Sequence, residues 1–174
     1  DQLSQDQLAR LGWQDIDGES NDDQLSRPYI ISAALYAENP AAIAAAHDIF
    51  MTHENDLTSL SAGTRVFILA NEMKQFGSAD LFNQLLAEYH ATSDASYQSD
   101  LRAAITSITD KALIEQLVGK FEDADTIKPQ DLRGWFYGLL ANEDGQQAAW
   151  DWVREDWQWL EDTVGGDMEF TTYI

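Results

Sequence analysis

Apolar residues in this chain recur every three or four positions, and that period dictates helices. After Arg65 they fall at Val66, Leu69, Ala70 and Met73, and in the next stretch at Leu81, Leu85, Leu86 and Tyr89. Alternation at period two, the mark of a strand with one buried face, is scarcely seen. Three prolines in 174 residues, with Ala, Leu, Gln, Glu and Asp dominant, fit helices and their N-termini. The period therefore predicts an all-α fold.

The breaks between helices are short. Asn39-Pro40 reads as an N-cap followed by proline at the first helical position. Gly77-Ser78 reads as a C′ glycine followed by a capping serine. Thr109-Asp110 and Asp144-Gly145 are the matching breaks further on. Asn21-Asp22-Asp23 lacks the spacing of a calcium-binding loop and reads as the cap of the helix leading into Leu25 and Arg27. With so few residues in each connection, each helix folds back antiparallel on the one before.

These breaks sit inside a weak internal repeat. Each unit opens with an Arg on a first helix and closes with an aromatic late in a second. The units run from Arg27 to Phe50, Arg65 to Tyr89, Arg102 to Phe121 and Arg133 to Trp157. Successive arginines are 38, 37 and 31 residues apart, within the range of helix-pair solenoids. A single pair cannot bury both its apolar faces; stacked pairs bury a continuous core. The sequence thus predicts an α-α superhelix of antiparallel helix pairs, a HEAT/armadillo-like solenoid, in preference to an irregular bundle. The repeated arginines read first as links to carboxylates of neighbouring units and only second as ligand contacts.

Charge and composition exclude several function classes. The net charge of −21 repels nucleic acid and anionic membrane surfaces and favours cationic ligands such as peptide amino termini. The plainer reading of the same charge is solvated helix faces that keep the protein soluble. There is no Cys, which removes disulfides, thiolate metal sites and a thiol nucleophile. No Asn stands two positions before Ser or Thr, no apolar run reaches membrane-spanning length and no signal peptide opens the chain. Cytoplasmic localisation is the expectation. The chain starts at Asp1 and stops at Thr171-Thr172-Tyr173-Ile174, so it is expected to be cut at both ends.

Catalytic chemistry is hard to find. His53-Glu54 begins like the zinc motif HExxH, but Leu57 stands where the second His belongs, and both imidazoles are needed on one helix face. His47 and His53, six apart, fall on different faces. Ser, His and Asp are all present, yet no Gly-x-Ser-x-Gly elbow supports a triad. Gly165-Gly166-Asp167 lacks the Lys and the strand-to-helix setting of a phosphate site. Catalytic and metal residues are therefore expected to be absent from this chain.

The cluster Trp150, Trp152, Trp157 and Trp159 is the most unusual local feature. On one helix, Trp150, Val153, Trp157 and Leu160 form an apolar stripe with spacings of three, four and three. Trp152 and Trp159 form a flanking stripe. The favoured reading is one helix buried on a broad face; the alternative is that the flanking stripe docks onto another domain.

Ile127-Lys128-Pro129-Gln130-Asp131 precedes a helix ending Gly138-Leu139-Leu140-Ala141-Asn142. After a turn at Gly145 come Trp150-Asp151-Trp152-Val153-Arg154-Glu155-Asp156-Trp157 and then Gly165-Gly166-Asp167. Near the start stand Leu11-Gly12-Trp13, Asn21-Asp22, Leu25-x-Arg27 and Asn39-Pro40 leading to Ala46 and Phe50. From about Leu11 to Phe170 this order resembles the C-terminal helical domain of aminopeptidase N-type zinc peptidases, a family that includes bacterial aminopeptidase N and the endoplasmic-reticulum aminopeptidases.

The resemblance implies that residues 1–174 form one non-catalytic helical-repeat domain, a fragment of a larger multidomain aminopeptidase that is inactive in isolation. Zinc then belongs to the parent enzyme's catalytic domain, and no cofactor to this chain. The implied role is to close the active-site chamber, limit peptide access and help the whole enzyme fold. The implied partners are the catalytic and N-terminal domains of the same chain and the parent's peptide substrates, with no nucleic acid and no membrane. Arg133, beside Trp135 and Tyr137, is the candidate substrate contact. The alternative from a different class is an autonomous helical-repeat scaffold that binds a protein partner.

Overall fold

The computed structural model describes residues 2–14 and 16–165; Gly166, Asp167 and Phe170 of the closing motif lie outside them. Ten α-helices follow one another among the described residues. They are α1 (Gln2–Leu11), α2 (Asn21–Tyr36), α3 (Pro40–His53), α4 (Arg65–Phe76), α5 (Ala79–Ala91), α6 (Ala95–Ile105), α7 (Lys111–Val118), α8 (Leu132–Ala141), α9 (Gln146–Glu155) and α10 (Trp157–Val164). Short 3₁₀ turns occupy Leu57–Ser59 and Pro129–Asp131.

Local chemistry sets most of the helix starts. Asn39 Oδ1 accepts from the backbone N–H groups of Ala41 and Ala42 at 2.9 and 3.2 Å, with Pro40 opening α3. Ser78 Oγ accepts from Leu81 N–H at 3.2 Å, and Asp110 Oδ1 from Leu113 N–H at 3.0 Å. Each satisfies a donor that the first helical turn leaves free. The cap of α2 is Ser20, which accepts from Asp23 N–H at 3.2 Å, so Asn21, Asp22 and Asp23 form the first turn instead of the cap. Two acids there suit the positive end of the helix. Gly77 is not a left-handed C′ residue: its φ is −52°. Glycine is needed because a Cβ would stand 2.3 Å from the carbonyl oxygen of Met73.

The pairs stack as an α-α superhelix. First helices α2, α4, α6 and α8 lie side by side in chain order. Second helices lie behind them, α3 against α4, α5 against α6 and α9 against α7 and α8. α1 packs on α2 ahead of the first pair. One hydrophobic core runs from Phe50 to Leu160 through every unit, including Phe82, Leu85, Leu101, Trp135 and Leu139, all fully buried. Each such side chain contributes about 1.5–3 kcal/mol, and no unit could shelter its share alone.

Two expectations change at the C-terminal end. The tryptophan segment is two helices, interrupted at Asp156 with φ −108° and ψ 25°. The interruption resets the phase of α10 relative to α9; the buried face of α9 is Ala149, Trp152 and Val153, while Trp150 is exposed. Trp152 is no docking surface: it packs edge-on to Phe121 at 5.0 Å and against Trp159 at 6.1 Å. The aromatics that close the third and fourth units also fall later than expected, Phe121 just past α7 and Trp157 at the first position of α10.

Candidate functional site: a cleft along the first helices

The four repeated arginines have different fates. Arg27 is buried; its Nε donates to the Leu11 carbonyl at 3.1 Å and its guanidinium forms an ion pair with Glu19. That bond holds the Glu19 carboxyl below the usual carboxylate range. Arg65, first residue of α4, donates from Nε to Asp100 Oδ2 of α6 at 2.8 Å and lies over the Tyr97 ring at 4.5 Å. It is the expected link between units. Burial still raises the Asp100 pKa, because desolvation outweighs the help from Arg65.

Arg102 on α6 has no carboxylate partner among the described residues; its Nη2 donates to Ser99 Oγ at 3.3 Å, one helical turn back. It lies across the backbone of α8 at Gly134, where a Cβ would stand 2.7 Å from the guanidinium carbon. One turn on, a Cβ at Gly138 would meet Thr106 Oγ1 at 2.4 Å. Two glycines four apart thus let α6 approach α8 and leave room for the arginine.

Arg102 lines a cleft of about 620 Å³ along the first-helix row. Its walls bring together Tyr36 and Glu38 at the end of α2, Lys74 on α4, Thr106 on α6, Gly134 and Gly138 on α8, and Glu143 and Asp144 beyond it. Lys74 is already engaged, its Nζ 3.0 Å from Glu38 Oε1. Glu38 is held there by a left-handed turn, φ 51°. Asn142 closes the far end, its Nδ2 donating to the carbonyls of Thr106 and Ile108 at 2.9 and 2.6 Å. The cleft therefore holds one cation, Arg102, with no carboxylate partner among the described residues, on a wall that also carries Glu38, Glu143 and Asp144. Arg133, the residue singled out by the sequence, is half-buried at the start of α8, does not line this cleft and is not a free cation.

Among the described residues, no group of three or more His, Asp or Glu residues is placed to hold a metal. His47 Nδ1 is 2.9 Å from Glu72 Oε2, and its ring stacks on Phe76 at 4.1 Å. His53 bonds Ile49 O and Thr52 at the end of α3, and His90 meets the edge of Tyr89. None of the three is hydrogen-bonded to a serine among the described residues.

All 174 residues, 1–174, match the ERAP1-like C-terminal domain family. The chain belongs to that family. Aminopeptidase N of Lactobacillus helveticus is 57% identical over 174 residues, which cover 100% of this chain and 21% of that protein. Aminopeptidase N of Lactobacillus delbrueckii subsp. lactis is 49% identical over 172 residues, 99% of this chain and 20% of that protein. A more distant relative is glutamyl aminopeptidase of Mus musculus, 26% identical over 150 residues. The chain spans about a fifth of the length of the aminopeptidase N relatives. For an ERAP1-like C-terminal domain, the first-helix cleft is the feature that the repeat alone could not locate. The signal in the sequence was the Gly134–Gly138 spacing, which marks a close helix approach.

Proposed function

We propose that this chain is the non-catalytic C-terminal domain of a zinc-dependent aminopeptidase. It closes the active-site chamber, restricts entry to small peptides and supports folding of the whole enzyme in the cytoplasm. The observation that carries this reading is the match of all 174 residues to a C-terminal domain family, within aminopeptidases of which it spans about a fifth. The same observation favours a domain over a free-standing scaffold. In this reading zinc belongs to the catalytic domain of the parent; here His47, His53 and His90 each have separate partners. No described helix is long and apolar enough to cross a membrane.

In this reading the acidic field attracts the cationic end of a peptide, and Arg102 receives its carboxylate in the cleft. Arg133, one residue before Gly134, is a second contact at the flank of α8. The test is hydrolysis of an aminoacyl-chromogenic substrate by this chain, by the full-length enzyme and by the two mixed halves, with Arg102→Ala and Arg133→Ala compared on peptides in the full-length form. Activity is expected in the full-length enzyme and not in the chain alone, with a raised KM for peptides in the arginine variants. Zinc-dependent activity in the isolated chain would overturn the reading; unchanged peptide KM would remove the arginines from it.

A further inference from the structure

Helix α2 is apolar on two opposite faces, and the protein covers one. Arg27, Ile31 and Ala34 point inward and are buried. On the other side Leu25, Tyr29, Ala33 and Tyr36 follow at spacings of four, four and three residues, all exposed. Leu25, Tyr29 and Tyr36 are 68%, 76% and 89% exposed. Single apolar residues on a surface need no cover, but a contiguous helical stripe marks a contact face, and a helix apolar all round belongs between two layers.

We propose that this stripe docks onto the part of the same polypeptide that lies outside residues 1–174. The inference rests on the reading that the chain is one domain of an aminopeptidase. Size argues for that occupant. The two tyrosines offer about 300–500 Å² of apolar-faced surface and Leu25 adds one aliphatic side chain, together short of the ~800 Å² per partner that a stable association of separate molecules needs. A contact within one polypeptide manages with less, because the tether supplies effective concentration. Charge argues against a second copy, since each carries −21 and two such surfaces repel. Length supplies the partner: the aminopeptidase N relatives carry about four fifths of their sequence outside the matched region. Tyr36 also lines the cleft that holds Arg102, so the docked part would border that cleft at its α2 end.

Hydroxyl-radical footprinting read by mass spectrometry tests this, applied to the isolated chain and to the full-length polypeptide. Tyr97, 3% exposed, reports that both are folded by staying protected in each. Leu25 and Tyr29 are expected to oxidise about 10-fold more slowly in the full-length form, as residues in a water-excluding interface do. Equal oxidation in the two forms overturns the proposal. So does protection in the isolated chain that grows with its concentration, which would assign the stripe to a second copy. An unprotected Tyr29 in an active full-length enzyme sinks the docking alone, whereas hydrolysis by the isolated chain sinks the non-catalytic reading whatever the footprint.

Discussion

At the residue scale, the acids of this protein divide by what surrounds them. Glu19 and Asp23 face Arg27 and Arg10, and their carboxyls are held below the ordinary range by those bonds. Glu72 is buried between α3 and α4, where desolvation raises its pKa more than its bond to His47 lowers it. The folded state thus favours the protonated carboxyl. The stability this brings is fully present below the ordinary value of 4.5 and is lost as pH rises through the raised folded value. Glu72→Gln keeps a polar group toward His47 and removes the titration. Chemical denaturation from about pH 4 to about pH 7 should show the variant gaining stability relative to the wild type as pH rises. A difference that stays flat or narrows would contradict the burial argument.

At the element scale, α6 and α8 are separated by little more than two glycines, and their neighbours differ. Opposite Gly138 stand Cβ and Oγ1 of Thr106, which is itself buried and cannot swing away. Opposite Gly134 stands the end of the Arg102 side chain, which can. Gly138→Ala should therefore cost about 1–3 kcal/mol of overpacking, against a gain of at most about 1 kcal/mol in helix propensity. Gly134→Ala should keep that gain, leave stability unchanged or slightly higher, and displace Arg102 from its slot. Urea denaturation of the two variants checks the order, and peptide KM in the full-length enzyme checks the displacement. Gly134→Ala as the more destabilising of the two would mean that Arg102 is fixed more firmly than its single bond to Ser99 implies.

At the scale of the whole molecule, the stack carries 31 acidic against 10 basic residues. The ion pairs that tie neighbouring elements, Arg27 to Glu19 and Arg65 to Asp100, are largely buried and weakly screened, whereas repulsion among the surface acids is long-ranged and salt-sensitive. Raising sodium chloride from about 10 mM to about 0.5 M should thus raise the melting temperature by a few degrees. A fall would show that surface ion pairs such as Lys74 with Glu38 outweigh the self-repulsion.

Much of this was legible in the order of residues, because its causes act within one helical turn. The three- and four-residue period gave the helices, and Asn39, Ser78 and Asp110 gave their starts, since a cap needs only a donor two or three residues away. The failed HExxH at His53 was equally local, and the absence of Cys decided itself. What only the tertiary structure decided was which of several competent faces would be covered. Trp150 and Trp152 are equally apolar, and packing against Phe121 and Phe136 chose Trp152. Four arginines recur along the first helices but at different turns, Arg65 opening α4 and Arg102 in the last turn of α6; Arg65 found Asp100, and Arg102 found Ser99 and a glycine floor. Helix α2 carries two apolar stripes, and the stack had neighbours for one. A period fixes where apolar residues stand on a helix; burial is a relation between elements distant in sequence, and packing alone settles it.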